Sequence, residues 1–225
     1  MGGLDEWLPP AAFYATGTET GLSIAQAKKK PIIWIQMPAF VNSFFEERVE
    51  RLFDLAITLE KAFSAAAIEY RVVGGLAVYL YVEQAEPDAG RRARDIDLVV
   101  RRQDLQRIAD AVKPFGLEYR HAAGLDMLVE REVPSGRRAV HLIFEGEKVK
   151  PEYEEPVPYF SEAQRLHGIQ LTPLPHLIRM KLTSFRLKDQ THLKDMDEAG
   201  LITREIEREL TPAMRERLRA VRNVE

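Results

Sequence analysis

A chain of 225 residues is long enough to bury a substantial core, and 45% hydrophobic with 30% charged residues is a globular rather than a disordered or fibrous composition. The formal net charge of −3 argues against a generic basic coat for nucleic acid, though it leaves local patches open. Cysteine is absent, which excludes a disulfide framework, thiolate chemistry and cysteine-ligated zinc, and fits a reducing compartment.

Residues 1–36 show no sustained periodicity and mix Pro9-Pro10, Gly17, Gly21 and a Lys28-Lys29-Lys30 cluster. They read as an extension outside the core, with Met37 as a candidate start. The opening residues lack the basic n-region of a secretory leader. The apolar run Pro31–Met37 is too short to span a bilayer. A cytoplasmic protein with no membrane partner is therefore expected.

Ser43–Glu46 has the spacing of a capping box, so a helix is expected to start there and run to about Ala67. Phe45, Val49, Leu52, Ala56, Leu59 and Phe63 form one apolar stripe, suited to a sheet or to a helical dimer seam. Tyr70–Val73 follows as a short strand, then Gly74-Gly75 and a helix over Leu76–Gln84. A turn-rich loop, 86–93, leads into a strand over Arg94–Val100. A helix near Leu105–Val112 stops at Pro114 and Gly116. Strands are expected over 117–120, 127–133 and 138–144, the last two forming a hairpin through Pro134-Ser135-Gly136.

Residues 145–160 are acidic and proline-rich, the composition of a linker. Helices are expected over 174–187, 190–199 and 203–222. The chain thus divides into an extension (1–36), a core (37–150), and a linker with a helical C-terminal subdomain (151–225). The fold class is α/β (α+β), a mixed sheet flanked by helices.

The chemistry starts at Asp95 and Asp97. Residues two apart on a strand point to one face, while Ile96, Leu98 and Val100 turn to the other. Two like charges about 5 Å apart repel by roughly 3 kcal/mol at an effective dielectric near 20. Such a pair is kept cheaply only beside a cation, with a proton on one carboxyl, or in open water. Hard oxygen ligands of this kind suit Mg²⁺, which takes one or two carboxylates together with substrate phosphates.

Gly74-Gly75 at a helix start can expose backbone N–H groups to phosphate oxygens; it is otherwise simply a tight turn. Were the chain one continuous helix from about 174, Lys181, Lys188, His192 and Asp195 would fall within roughly 60° of one another. Asp189 would then interrupt the apolar line of Ile178, Leu182, Phe185 and Leu193. It needs a partner there, which Arg186, three residues back, or an arriving substrate could supply. A salt-bridged helix face is the plainer alternative. The five histidines show no zinc-ligand spacing, and Walker A, Gly-x-Gly-x-x-Gly and Gly-x-Ser-x-Gly patterns are absent.

Val73-Gly74-Gly75 opening a helix, followed by Arg94-Asp95-Ile96-Asp97-Leu98, resembles the signature of nucleotidyltransferases of the DNA polymerase β superfamily. The later run from Lys181 through Arg186, Lys188-Asp189 and His192 to Lys194-Asp195 is similar to motifs of the AbiE-type (AbiEii toxin-like) nucleotidyltransferases. The resemblance covers about residues 70–200. It implies the nucleotidyltransferase fold and transfer of a nucleoside monophosphate from an NTP to a hydroxyl of tRNA, protein or a small molecule. Asp95 and Asp97 would bind Mg²⁺ (Mn²⁺ as the alternative). Gly74, Gly75, Arg94, Lys181, Arg186, Lys188 and Asp189 would serve the nucleotide. A cognate antitoxin is the implied protein partner.

The sequence departs from that pattern in three places. His141 stands where a third carboxylate is usual, either as a general base or as the mark of a decayed site. Asp126 and Glu145 are the candidate replacements for the missing carboxylate. The Gly75–Asp95 segment is long and carries Arg91, Arg92 and Arg94, and Ala93 replaces a common threonine.

Overall fold

A run of four buried residues, Tyr70–Val73, makes the central strand β1. A strand of this kind must be covered on both faces and paired on both edges. The computed structural model describes residues 39–87, 93, 95–132 and 139–223, and of 39–49 the backbone alone. In it β1 pairs antiparallel with β2 (Ile96–Val100), setting Val73 opposite Asp97. On its other edge β1 runs parallel to β7 (Ile169–Leu171). The remaining strands are β3 (Leu117–Ala122), β4 (Leu125–Glu130), β5 (Val140–Phe144) and β6 (Gln164–Leu166). The described residues form one seven-stranded mixed sheet in the order β3-β4-β5-β2-β1-β7-β6. Strand β5 lies parallel beside β2, with His141 opposite Asp97.

Strand alternation divides the sheet's two faces. Tyr70, Val72, Leu98, Val100, Leu142 and Phe144 belong to a continuous core. Tyr70 turns toward α1 (Ala39–Ala65), its ring 5.2 Å edge-on from Phe63 and its hydroxyl donating to Glu60. Of the expected α1 stripe, Ala56, Leu59 and Phe63 are buried and Leu52 packs against them, while the side chains of Phe45 and Val49 lie outside the described residues. Helix α1 also packs on α3 (Leu105–Val112) and β7. The opposite face carries Val73, Asp97, Val99, His141 and Ile143, and it holds the polar chemistry.

Several boundaries differ from the sequence expectation. Helix α1 begins at Ala39, so Ser43 lies inside it rather than capping it. Nothing between Pro38 and Ser43 breaks a helix, and a capping pattern starts one only where the preceding residues cannot continue it. Strands β6 and β7 were not expected. They form a hairpin through His167 and Gly168, both at positive φ, and extend the sheet beyond β1. Strands β3 and β4 are joined in the same way through Ala123 and Gly124. The β4–β5 pairing is antiparallel as expected, and its connection through 133–138 lies outside the described residues.

The break between the helices expected over 174–187 and 190–199 falls earlier, so no helix runs unbroken from 174 through Asp195. Helix α4 (Leu174–Ser184) ends in a left-handed Phe185, and α5 (Leu187–Glu198) starts afresh after an extended Arg186. Helix α2 (Gly74–Ala85) packs against β1, β2, α4 and α5. Helices α6 (Arg204–Glu209) and α7 (Pro212–Arg222) are capped by the Thr203 and Thr211 hydroxyls, and Met214, Leu218 and Val221 bury the inner side of α7.

The acidic segment after β5 is tied to β2 by Glu145 N–H, which donates to the Val100 carbonyl, and is hydrogen-bonded within itself. Gly146 donates to the Val157 carbonyl, Val157 donates to that of Glu147, and Phe160 N–H donates to the Glu145 carboxylate. The Phe160 ring also sits against the guanidinium groups of Arg71 and Arg101, each 4.9 Å from its centroid. Among the described residues no helix is long and apolar enough to cross a membrane.

Phe63 is fully buried between α1 and β1. Phe63→Ala should lower stability by roughly 3–5 kcal/mol, read from the urea midpoint. A loss below about 1 kcal/mol would show that α1 does not anchor this face.

Candidate functional site

Asp95 immediately precedes β2 and Asp97 is its second residue, so the two carboxylates rise from one face as their spacing requires. β5 brings in the third group: His141 Nδ1 lies 3.2 Å from Asp97 Oδ1. One ligand atom from each of Asp95, Asp97 and His141 lies within 4.8 Å of the others, and all three residues are half-buried. The hydrogen bond to Asp97 raises the His141 pKa above its ordinary value; burial opposes this, and the charges of Asp97 and Asp95 add to it. A three-residue cluster of this composition can hold a divalent cation. The two carboxylates suit any hard ion, whereas the imidazole nitrogen is a poor partner for Mg²⁺.

β1 supplies the other wall. Its last residue pairs with Asp97, and the chain turns at Gly74 (φ +72°) into α2. A Cβ on Gly74 would stand 2.0 Å from Asp97 Oδ2, so this position demands glycine both for its backbone angle and for space. Gly75 is less constrained: a Cβ there would meet His192 Cε1 at 3.7 Å, an ordinary contact. Val73 has no side-chain acceptor to cap α2. The positive end of that helix therefore opens beside the carboxylates.

The cations come from the α4–α5 break. Asp189 is completely buried and accepts from Lys181 Nζ at 3.1 Å, Ser184 Oγ at 2.8 Å, Arg186 Nε at 2.7 Å and the Arg186 backbone N–H at 3.2 Å. Burial pushes the Asp189 pKa up, but the Arg186 hydrogen bonds and the Lys181 charge outweigh it and hold the group at about 2. Arg186, three residues back, is thus the partner the sequence required. The geometry is that of a helix N-terminus, not the expected helix face.

These groups surround an open cleft of ≈ 420 Å³. Gly74, Asp95, Asp97 and His141 line one side, and Lys181, Arg186 and Lys188 the other. Asp189, completely buried, does not line it, and of the glycine pair it is Gly74 that does. Arg94, with Arg91 and Arg92, lies outside the described residues. Both candidate replacements for the third carboxylate are elsewhere. Asp126 pairs in register with Leu142, on the opposite face from His141, and bonds to Tyr119 and His121. Glu145 is held by Arg101 and the Phe160 N–H.

Sequence reasoning missed Ser184 and the wall formed by Tyr153 and Val157. Ser184 acquires its partner only because the break falls at Phe185, earlier than expected, and the 145–160 segment carries no periodicity from which its packing could be read.

No protein-family model matches the sequence, and no curated protein does. Solved structures to which the fold is similar include an antigenic nucleotidyltransferase-like protein from Paracoccidioides brasiliensis, at 14% identity and a TM-score of 0.49, covering 78% of this chain and 87% of that one. ANT(2'')-Ia in complex with adenylyl-2''-tobramycin gives 13% identity and a TM-score of 0.46, over 75% and 95% of the two chains. JHP933 from Helicobacter pylori gives 14% and 0.35, over 78% and 89%. Function has to be read from the side chains themselves.

Two outcomes follow from this geometry. Gly74→Ala should cost roughly 1–3 kcal/mol or more in stability through strain and displacement of Asp97, and Gly75→Ala less than about 1 kcal/mol. Equal costs in denaturant titrations would contradict the asymmetry. His192 is pushed down to about 4 by burial and by the nearby Lys181 charge. An unfolded histidine takes its proton near 6.5, so this group's contribution to stability is complete above that pH and is lost as pH falls toward 4. The urea midpoint of the wild type should therefore drop more steeply between pH 6.5 and 4 than that of His192→Leu. Parallel profiles would refute it.

Proposed function

We propose that the chain is a divalent-cation-dependent nucleotidyltransferase, moving a nucleoside monophosphate from an NTP to an acceptor hydroxyl. One observation carries this reading: the first turn of α2 is pressed against Asp97, so an uncapped helix N-terminus and a carboxylate pair open on one cleft. Few ligands other than a metal-bound polyphosphate need both at once. The sequence resemblance points the same way, with Mg²⁺ as the ion it implies.

In this reading Asp95 and Asp97 hold the cation, which when bound neutralises triphosphate charge. The N–H groups at Gly74 and Gly75 take phosphate oxygens, and Lys181, Arg186 and Lys188 face the same charge from across the cleft, with Arg94 assigned there from the sequence alone. Asp189 keeps Lys181 and Arg186 in place. The acceptor oxygen attacks the α-phosphorus, the bond to the bridging oxygen of the β-phosphate breaks, and pyrophosphate leaves as the acceptor proton passes to a base or to water. Most of the rate enhancement then comes from positioning and fixed charge. Residues 37–150 would be the catalytic core and 151–225, which adds the β6–β7 hairpin to the sheet before its helices, the part that closes the cleft, with 1–36 an extension. A cytoplasmic location suits the NTP substrate.

A second reading, a non-catalytic protein that binds nucleotide or a protein partner, is favoured by one observation: His141 occupies the third position of the cluster.

Calorimetry with each NTP in Mg²⁺ or Mn²⁺ tests the site. At least one NTP should bind, and Asp97→Ala should weaken it by about tenfold or more, that is 1.4 kcal/mol. Equal binding by the variant would sink the assignment. Label transfer from the bound NTP to total tRNA, protein or small-molecule fractions then separates the enzyme from the silent binder.

A further inference from the structure

We infer that His141 is the third protein ligand of the metal centre, and that the site therefore selects a first-row transition ion such as Mn²⁺ over Mg²⁺. The inference rests on the cation-site reading above and specifies its ion. It begins with register. Asp97 and His141 sit opposite each other on neighbouring parallel strands in the middle of the sheet, where the backbone ladder fixes both side-chain roots.

The spacing already suits coordination. An octahedral ion with bonds of about 2.2 Å sets adjacent donors roughly 3.1 Å apart and opposite donors roughly 4.4 Å apart. Nδ1 of His141 lies 3.2 Å from Oδ1 of Asp97, and the donor atoms of all three residues fall within 4.8 Å. An ion entering between them would replace the hydrogen now shared by the nitrogen and the carboxylate.

The donor set decides which ion. Mg²⁺ demands oxygen ligands and retains water in preference to nitrogen, whereas imidazole beside carboxylates suits transition ions, whose affinities rise from Mn²⁺ along the series. Among the described residues the two candidate carboxylates do not displace the histidine from this role, because Asp126 is on the far face of the sheet and Glu145 is held by Arg101. The nitrogen closest to the cluster is also the one turned to Asp97. It is better placed to bind an ion there than to take a proton from an acceptor.

The test uses metal-free, full-length protein without nucleotide, titrated with Mn²⁺ and separately with Mg²⁺. Pulsed electron paramagnetic resonance is then recorded on the Mn²⁺ complex. Mn²⁺ should bind more tightly by roughly tenfold or more, and its spectrum should show coupling to a ¹⁴N nucleus. His141→Asp should abolish that coupling and shrink the Mn²⁺/Mg²⁺ ratio, since the site becomes all-oxygen. The wild-type nitrogen coupling stands whether or not the variant folds. Equal affinities, Mn²⁺ bound without nitrogen coupling, or no binding of either ion would overturn the inference. A protein that takes Mn²⁺ through nitrogen but binds no NTP keeps this inference and loses the transferase reading. One that binds NTP with Mg²⁺ and shows no nitrogen coupling does the reverse.

Discussion

The placement of the Asp97 carboxylate constrains everything around it. On one side β1 ends against it and leaves room for a hydrogen atom only at position 74; on the other, β5 sets an imidazole at hydrogen-bond distance. Asp95, two residues away on the same face, adds a second negative charge. A site of this kind is electrostatically unsatisfied, since two neighbouring carboxylates oppose each other by a few kcal/mol. The raised pKa of His141, hydrogen-bonded to Asp97, is one response to that charge. A divalent ion is a more complete one. The strand order β5-β2-β1 produces the arrangement, because it seats the aspartate strand between the glycine turn and the histidine strand.

The second half of the chain contributes cations fixed by a single buried anion. Asp189 is shielded from water and receives bonds from Lys181, Ser184 and Arg186. Removing it would strand the nearly buried Lys181 amine, so breaking this cluster is worse than never having built it. Its value lies in positioning. Lys181 and Arg186 face the cleft from held rotamers and need not be ordered by an arriving anion. The left-handed Phe185 makes this possible, since it breaks the helix one residue before Arg186 and lets α5 begin with Asp189 in its first turn.

Much of the site was legible because it rests on short-range rules. Alternation along 95–100 places both aspartates on one face and a glycine pair after a strand marks the turn, whereas His141 was singled out only by the family resemblance, its place beside the aspartate strand being a matter of pairing. What was not legible depends on tertiary context. β6 and β7 are three residues each, too short to show a period, and their hairpin joins the sheet through the pairing of β7 with the distant β1. The α4–α5 break carries neither glycine nor proline, and a left-handed phenylalanine is rare enough that no local signal announces it. The same break shows why the helical-wheel argument set Asp189 in the apolar line and apart from Lys181, when the two are in fact hydrogen-bonded. The capping pattern at Ser43 was a real signal overridden by helix-competent residues upstream.

The most direct measurement is a crystal structure with Mn²⁺ and a non-hydrolysable NTP analogue, with the ion located by anomalous scattering. The account predicts the ion within bonding distance of Asp95, Asp97 and His141, and the triphosphate resting on the N–H groups at Gly74 and Gly75. An ion held by nucleotide alone, or a nucleotide bound away from the start of α2, would contradict it.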